Sequence, residues 1–208
     1  MSELEPPPVR LLIVRHGQQE RQGDDGLLTR VGRRQAAAAA AAIGLSAEDR
    51  LVASTLRRAV ETATAFGRAP EQFGALDEFR FGPAWSWDQA DEGASQLLWR
   101  PEDRLPGGES LREFELRVQH ALGELVREPP DGRLVVVVHS GVIDALLRWA
   151  FGTDPDEPWT TEASAGHTSI TELHHWPRGR RASGAPRHTL LVRLGDVAHL
   201  PPDLVTGR

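Results

Sequence analysis

Apolar residues along the chain fall into two kinds of pattern. Leu11-Leu12-Ile13-Val14 and Leu134-Val135-Val136-Val137-Val138 are short, uniformly apolar runs, each ended at once by polar residues and a glycine. Such runs read as strands buried on both faces, the pattern of a parallel sheet. Arg50-Leu51-Val52-Ala53 reads as a further short strand, and residues 168–176 and 189–194 as two final ones. Between them, apolar positions recur at helical spacing. Thr29 stands as a cap before a helix that runs through seven alanines, Ala36 to Ala42, and closes at Gly44. Ser54 occupies an N-cap place before a helix with Leu56, Ala59, Val60 and Ala63 as its buried stripe. A helix from about Ser110 carries Leu111, Phe114, Val118 and Leu122, and residues 142–151 form a buried helix ended by Gly152. Strands and helices alternate throughout, which predicts a single α/β domain over residues 1–208.

Three stretches escape this pattern. Residues 1–8, acidic and proline-rich, read as a flexible terminus, and residues 177–188 as a mobile basic connection. Residues 67–108 are irregular and carry Trp85, Trp87 and Trp99. That stretch reads either as a lid or as a surface excursion packed on its own aromatics.

Composition narrows the chemistry. A net charge of −6 gives no support for nucleic-acid binding. No apolar run approaches the ~20 residues of a membrane span. The first residues are unlike a signal peptide, so the expected location is the cytoplasm. Without cysteine there is neither a disulfide framework nor a thiolate site. Lysine is also missing, so all 24 basic residues are arginine. Schiff-base chemistry and a phosphate-loop lysine are thereby excluded. An anion site in this chain must be built from arginine, histidine and backbone N–H groups.

The candidates follow from position. Open parallel sheets bind ligands at the carboxyl ends of their strands. Arg15 and His16 stand at that end of the first strand, and His139-Ser140-Gly141 at that end of another. Arg58 lies off the apolar stripe in the opening turn of its helix, near the same edge. A serine-nucleophile elbow around Ser140 would need glycines where Val138 and Val142 stand. His174 and His175, adjacent on a strand, face opposite sides and make a poor metal pair, so no metal is expected. His120, His188 and His199 read as surface or packing residues.

Arg15-His16-Gly17 resembles the signature of the histidine phosphatase superfamily, in the branch that includes the cofactor-dependent phosphoglycerate mutases. Further blocks follow in order: Leu28-Thr29-x-x-Gly32-x-x-Gln35-Ala36, then Ser54-x-Leu56-x-Arg58-Ala59-x-x-Thr62-Ala63. Next come Leu76-Asp77-Glu78-x-x-x-Gly82, Pro106-Gly107-Gly108-Glu109-Ser110 and Val138-His139-Ser140-Gly141-Val142-Ile143. The resemblance implies a three-layer α/β/α fold with a mostly parallel central sheet. It implies that His16 attacks phosphorus and becomes a phosphohistidine, while Arg15, Arg58 and His139 clamp the phosphoryl oxygens. Glu78 would protonate the departing alcohol and then activate water. Ser140 and Gln22 are carried as additional phosphate contacts.

After Arg-His-Gly the family usually has Glu-Thr or Gln-Thr and an asparagine a few residues on, where this chain has Gln18, Gln19 and Gln22, and asparagine often stands at the place of His167. The aromatic segment Gly82-Pro83-Ala84-Trp85-Ser86-Trp87 lacks the family's acid. The expected activity is metal-independent, cofactor-free hydrolysis of a small phosphomonoester. Mutase-type phosphoryl transfer and a catalytically silent phospho-ligand binding module are the alternatives. Only a short stretch separates Glu78 from Pro106, which favours the phosphatase over the mutase. Oligomeric state stays open, a homodimer included.

Overall fold

In a computed structural model, residues 7–20, 25–83, 100–160, 162–163, 165–176 and 188–207 are described. Gln22, the three tryptophans of the irregular stretch, residues 177–187 of the predicted connection 177–188 and residues 1–6 lie outside them; the connection's last residue, His188, belongs to a strand. The described residues form one six-stranded sheet flanked by four α-helices.

The two apolar runs are its centre. β1 (Val9–Arg15) pairs in parallel with β4 (Leu134–Val138), and β4 in parallel with β2 (Arg50–Ala53). β3 (Glu71–Gln72) extends this side, also parallel. On the other side of β1, β5 (Ile170–Trp176) and β6 (His188–Asp196) are antiparallel, giving the order β3-β2-β4-β1-β5-β6. The sheet is mostly parallel, with an antiparallel margin.

Alternation along the central strands explains why both runs are wholly apolar. Leu11, Ile13, Val136 and Val138 face α3 (Leu111–Arg127) and α4 (Ser140–Phe151). Leu12, Val14, Val135 and Val137 face α1 (Arg30–Ile43) and α2 (Arg57–Thr64). A strand covered on both sides has no polar face to show. Three layers follow.

The helix signals hold in three cases. Thr29 accepts the Gly32 N–H, and Gly44 closes α1 in the left-handed region. Ser110 and Glu113 form a reciprocal capping box at the start of α3. Gly152 ends α4 as predicted. Ser54 is a correction. The N-cap of α2 is Leu56, which offers no side-chain bond, and the Ser54 hydroxyl serves the active site instead. Among the described residues, no helix is long and apolar enough to cross a membrane.

Candidate active site

The carboxyl ends of β1, β2 and β4 open on a cavity of about 780 Å³. Arg15, His16, Arg58, Glu78 and Ser140 line it, together with Gln18, Gln19 and His167. Chain positions far apart in sequence thus meet at one sheet edge, because parallel strands all point their carboxyl ends the same way.

His16 is the first residue beyond β1 and is only 5% exposed. Its Nδ1 lies 2.8 Å from the Gly17 carbonyl, which can only accept, so Nδ1 carries the proton. Nε2 therefore keeps its lone pair, and accepts a hydrogen bond from Arg58 Nε at 3.2 Å. Burial and the neighbouring Arg58 guanidinium hold the imidazole well below its ordinary pKa. A buried, neutral imidazole with one nitrogen locked and the other presented is an activated nucleophile.

Arg58 is itself buried, contrary to its position off the apolar stripe of α2. The Thr62 hydroxyl donates to the Arg58 carbonyl one turn back and accepts the Gly17 N–H, fastening α2 to the nucleophile's turn. Arg15, the last residue of β1, donates from Nη1 to the carbonyls of Ala165 and Gly207. His139 is fully buried behind the cavity, its ring centroid 5.1 Å from that of His16. The Ser54 hydroxyl lies 2.6 Å from His139 Nε2 and accepts the Leu56 N–H. Donation of the hydroxyl proton to Nε2 would leave the ring proton on Nδ1. Two nitrogens of this cluster, Arg15 Nε and His139 Nδ1, are buried with no hydrogen-bond partner among the described residues.

Glu78 sits at the N-terminus of α4. Its Oε2 accepts from the Gly141 N–H at 3.2 Å and is 3.5 Å from the Ser140 hydroxyl, while Oε1 accepts from the Phe79 N–H. Ser140 thus lines the cavity and also touches the predicted acid. A Cβ at Gly141 would stand 2.5 Å from Glu78 Oε1, so only glycine lets the carboxylate approach this helix end.

Nothing in the sequence pattern marked the residue that aims Glu78. Arg117 on α3 donates from Nη1 to the carbonyls of Ala75 and Asp77, and from Nη2 to that of Glu78. It is fixed in turn by both oxygens of Glu109. Replacing Arg117 with alanine is expected to lower kcat about 10²-fold, because a displacement of about 1 Å at a reacting group has that effect. The same change leaves Glu109 without its partner and costs about 3 kcal/mol of stability. Steady-state kinetics and urea unfolding of Arg117→Ala, with Arg117→Lys as the partial rescue, check both effects.

Acid should weaken the fold through its histidines. His16, His139 and His167 are all lowered, chiefly by burial, and His167 to about 4. Each is neutral when folded but takes up a proton below about pH 6.5 when unfolded, so stability is lost as pH falls through that value. Asp144 acts in the opposite sense: burial raises its carboxyl to about 7, so it favours the folded state at lower pH. Three groups outweigh one. Between pH 7 and pH 5 the net loss is expected to be roughly 2–4 kcal/mol, since a tenfold difference in proton affinity between the folded and unfolded chain is worth about 1.4 kcal/mol. Thermal melts across that range check it; a melting temperature unchanged or higher at pH 5 would refute the assignment of neutral buried histidines.

Comparison with known proteins agrees with this geometry. Residues 11–185 match the family model of the histidine phosphatase superfamily, branch 1. The chain belongs to that superfamily. Glucosyl-3-phosphoglycerate phosphatase of Mycobacterium tuberculosis is 33% identical over 82% of this chain and 87% of its own length. Its counterpart from Mycolicibacterium vanbaalenii is 32% identical over 85% and 88%. The solved structure of a mycobacterial glucosyl-3-phosphoglycerate phosphatase with inorganic phosphate superposes with a TM-score of 0.72 at 25% identity, covering 93% of this chain and all of that one.

Proposed function

We propose that this histidine phosphatase hydrolyses a small phosphomonoester through a phosphohistidine on His16, without a metal ion, in the cytoplasm. The observation that carries this reading is the state of His16: Nδ1 locked on the Gly17 carbonyl, Nε2 bare of a proton on the cavity lining, and Arg58 against it.

The phosphoryl group would enter between Arg15 and Arg58. Arg58 then exchanges its bond to His16 Nε2 for a phosphoryl oxygen, which frees the lone pair at the moment phosphorus arrives. The two buried, unpartnered nitrogens, Arg15 Nε and His139 Nδ1, point to the same occupant, since one tetrahedral oxyanion satisfies both. Attack by Nε2 forms the N–P bond and breaks the ester P–O bond, and Glu78 passes its proton to the leaving oxygen. Water then attacks phosphorus, Glu78 takes the water's proton, the N–P bond breaks and phosphate departs. Phosphoryl transfer of this kind asks chiefly for positioning and neutralised charge, which two arginines and a neutral histidine donor supply.

The test uses a ³²P-labelled phosphomonoester in EDTA. Turnover with acid-labile label trapped on His16 is the expected result. Turnover lost to chelation, label on another residue, or phosphate passed to a second hydroxyl of added phosphoglycerate rather than to water would overturn this reading.

A further inference from the structure

His167 is a histidine of the cavity with no part in that mechanism. It lines the cavity, with its ring centroid 5.8 Å from that of His16. It stands where the resemblance led us to expect asparagine.

The backbone is distorted to place it. Thr168, at φ 55°, is the one non-glycine residue with a positive φ among the described residues. For a β-branched residue that conformation is a true outlier, held only where the surrounding structure imposes it. Its N–H is held by the Arg15 carbonyl at 3.0 Å. On its other side the ring meets the end of the described chain. Gln35, buried in α1, donates from Nε2 to the Leu204 carbonyl and to the Thr206 hydroxyl. Thr206 in turn accepts the His167 N–H through its carbonyl and lies 2.9 Å from Nδ1 through its hydroxyl. Gly207, at φ 73°, lies so close that a Cβ there would fall 2.5 Å from Nδ1, and its carbonyl accepts from Arg15.

Nδ1 is turned to the Thr206 hydroxyl, which also accepts from Gln35. A ring proton on Nδ1 leaves Nε2 as an acceptor with no hydrogen bond among the described residues. Burial and the adjacent Arg15 keep the ring neutral at working pH. The surrounding wall carries the carboxylates of Glu20, Asp25 and Asp77, beside the acid Glu78. Once the phosphoryl group engages Arg15 and Arg58, Arg80 is the remaining arginine among the described lining residues. A second anionic group on the substrate meets a wall in which acids outnumber bases.

We infer that His167 is a specificity-determining residue, accepting through Nε2 a hydrogen bond from a hydroxyl of the alcohol being released, so that the preferred substrate is the phosphate monoester of an uncharged polyol. This assignment rests on His16 as the nucleophile. A neutral acceptor on an acidic wall selects a hydroxyl donor and discriminates against a carboxylate, and an unmet hydrogen-bonding group in such a site is worth about tenfold or more in discrimination.

The test compares kcat/KM for glycerol 3-phosphate, n-propyl phosphate and 3-phosphoglycerate, in the wild type and in His167→Ala. The wild type is expected to prefer glycerol 3-phosphate about tenfold over each of the others. The variant should lose about tenfold on glycerol 3-phosphate and stay within about twofold on n-propyl phosphate. His167→Asn, with a short polar side chain, serves should the alanine variant fail to fold, and the same pattern is expected of it. Equal use of all three substrates by the wild type, preference for 3-phosphoglycerate, or an equal fall on every substrate in the variant would overturn the assignment. The last would reduce His167 to a support for Arg15. p-Nitrophenyl phosphate, which offers no hydroxyl, is run alongside: its hydrolysis by both proteins shows the reacting centre intact. A wild type inert toward it would overturn the phosphatase reading, and this assignment with it.

Discussion

His16→Ala is expected to lose about 10⁴-fold or more of the activity toward p-nitrophenyl phosphate, while remaining folded. The loss is large because the lone pair on His16 Nε2 is the one set against Arg58, where the phosphoryl group enters. His139 is fully buried, with Nε2 engaged by Ser54. His167 stands with its ring centroid 5.8 Å from that of His16 and lies against Arg15 rather than Arg58. Removing a nucleophile whose function no neighbour can assume leaves only the binding contribution of the arginines. The fold should survive, since the two core clusters lie in the layers on either side of the sheet and include none of the site's charged residues. Hydrolysis assays in EDTA, with a thermal melt on the same sample, check both halves. Activity within about tenfold of the wild type would mean that phosphorus is attacked by another group.

Glu78→Gln is the second large effect, and its size should depend on the leaving group. A placed general acid is worth about 10²–10⁴-fold when the departing oxygen needs a proton. Hydrolysis of n-propyl phosphate should fall by that factor. p-Nitrophenol is acidic enough to leave as an anion, so its release from the phenyl ester should fall far less. Glutamine also lacks the base that activates water for the second step, and phosphohistidine should accumulate. The variant should then show a burst of p-nitrophenol equal to the enzyme present, followed by slow turnover. Both Glu78 oxygens accept backbone N–H groups, so the amide also perturbs placement. Misplacement alone would slow every substrate and give no burst. Rapid-mixing absorbance traces distinguish the two.

Much of this site was legible from the chain because its parts stand at element ends. β1 and β4 announce themselves through uniform apolar runs ended by polar residues and a glycine, so the placement of Arg15, His16 and His139 followed. Arg58 was legible as a member of the edge but not as buried, since helical periodicity counts an off-stripe arginine as solvated. The pocket overrides that rule, because the nucleophile and Thr62 fasten this turn inward. β3 was invisible: Glu71 and Gln72 are exposed and polar, and only pairing with β2 makes them a strand. Ser54 was misread for a different reason. A serine before a helix offers the same hydroxyl to a backbone N–H or to a histidine, and the histidine lies 85 residues away in sequence. Arg117, and the Thr206–Gly207 support of His167, are likewise contacts between distant positions that no local pattern encodes.

The place of β1 between β4 and β5 has a consequence for biosynthesis. β1 leaves the ribosome well before its partners, which begin at residues 134 and 170. Until they emerge, its apolar residues and both rows of backbone hydrogen-bonding groups have no native partner, a state prone to pairing with other chains. Closing the sheet then demands long-range contacts, which slow folding. Because the proposed nucleophile His16 follows directly on this strand, catalytic competence is not expected before that closure. Nascent chains halted before residue 134 should be inert and dependent on chaperones, and activity should arrive together with protease resistance once β4 and β5 have emerged.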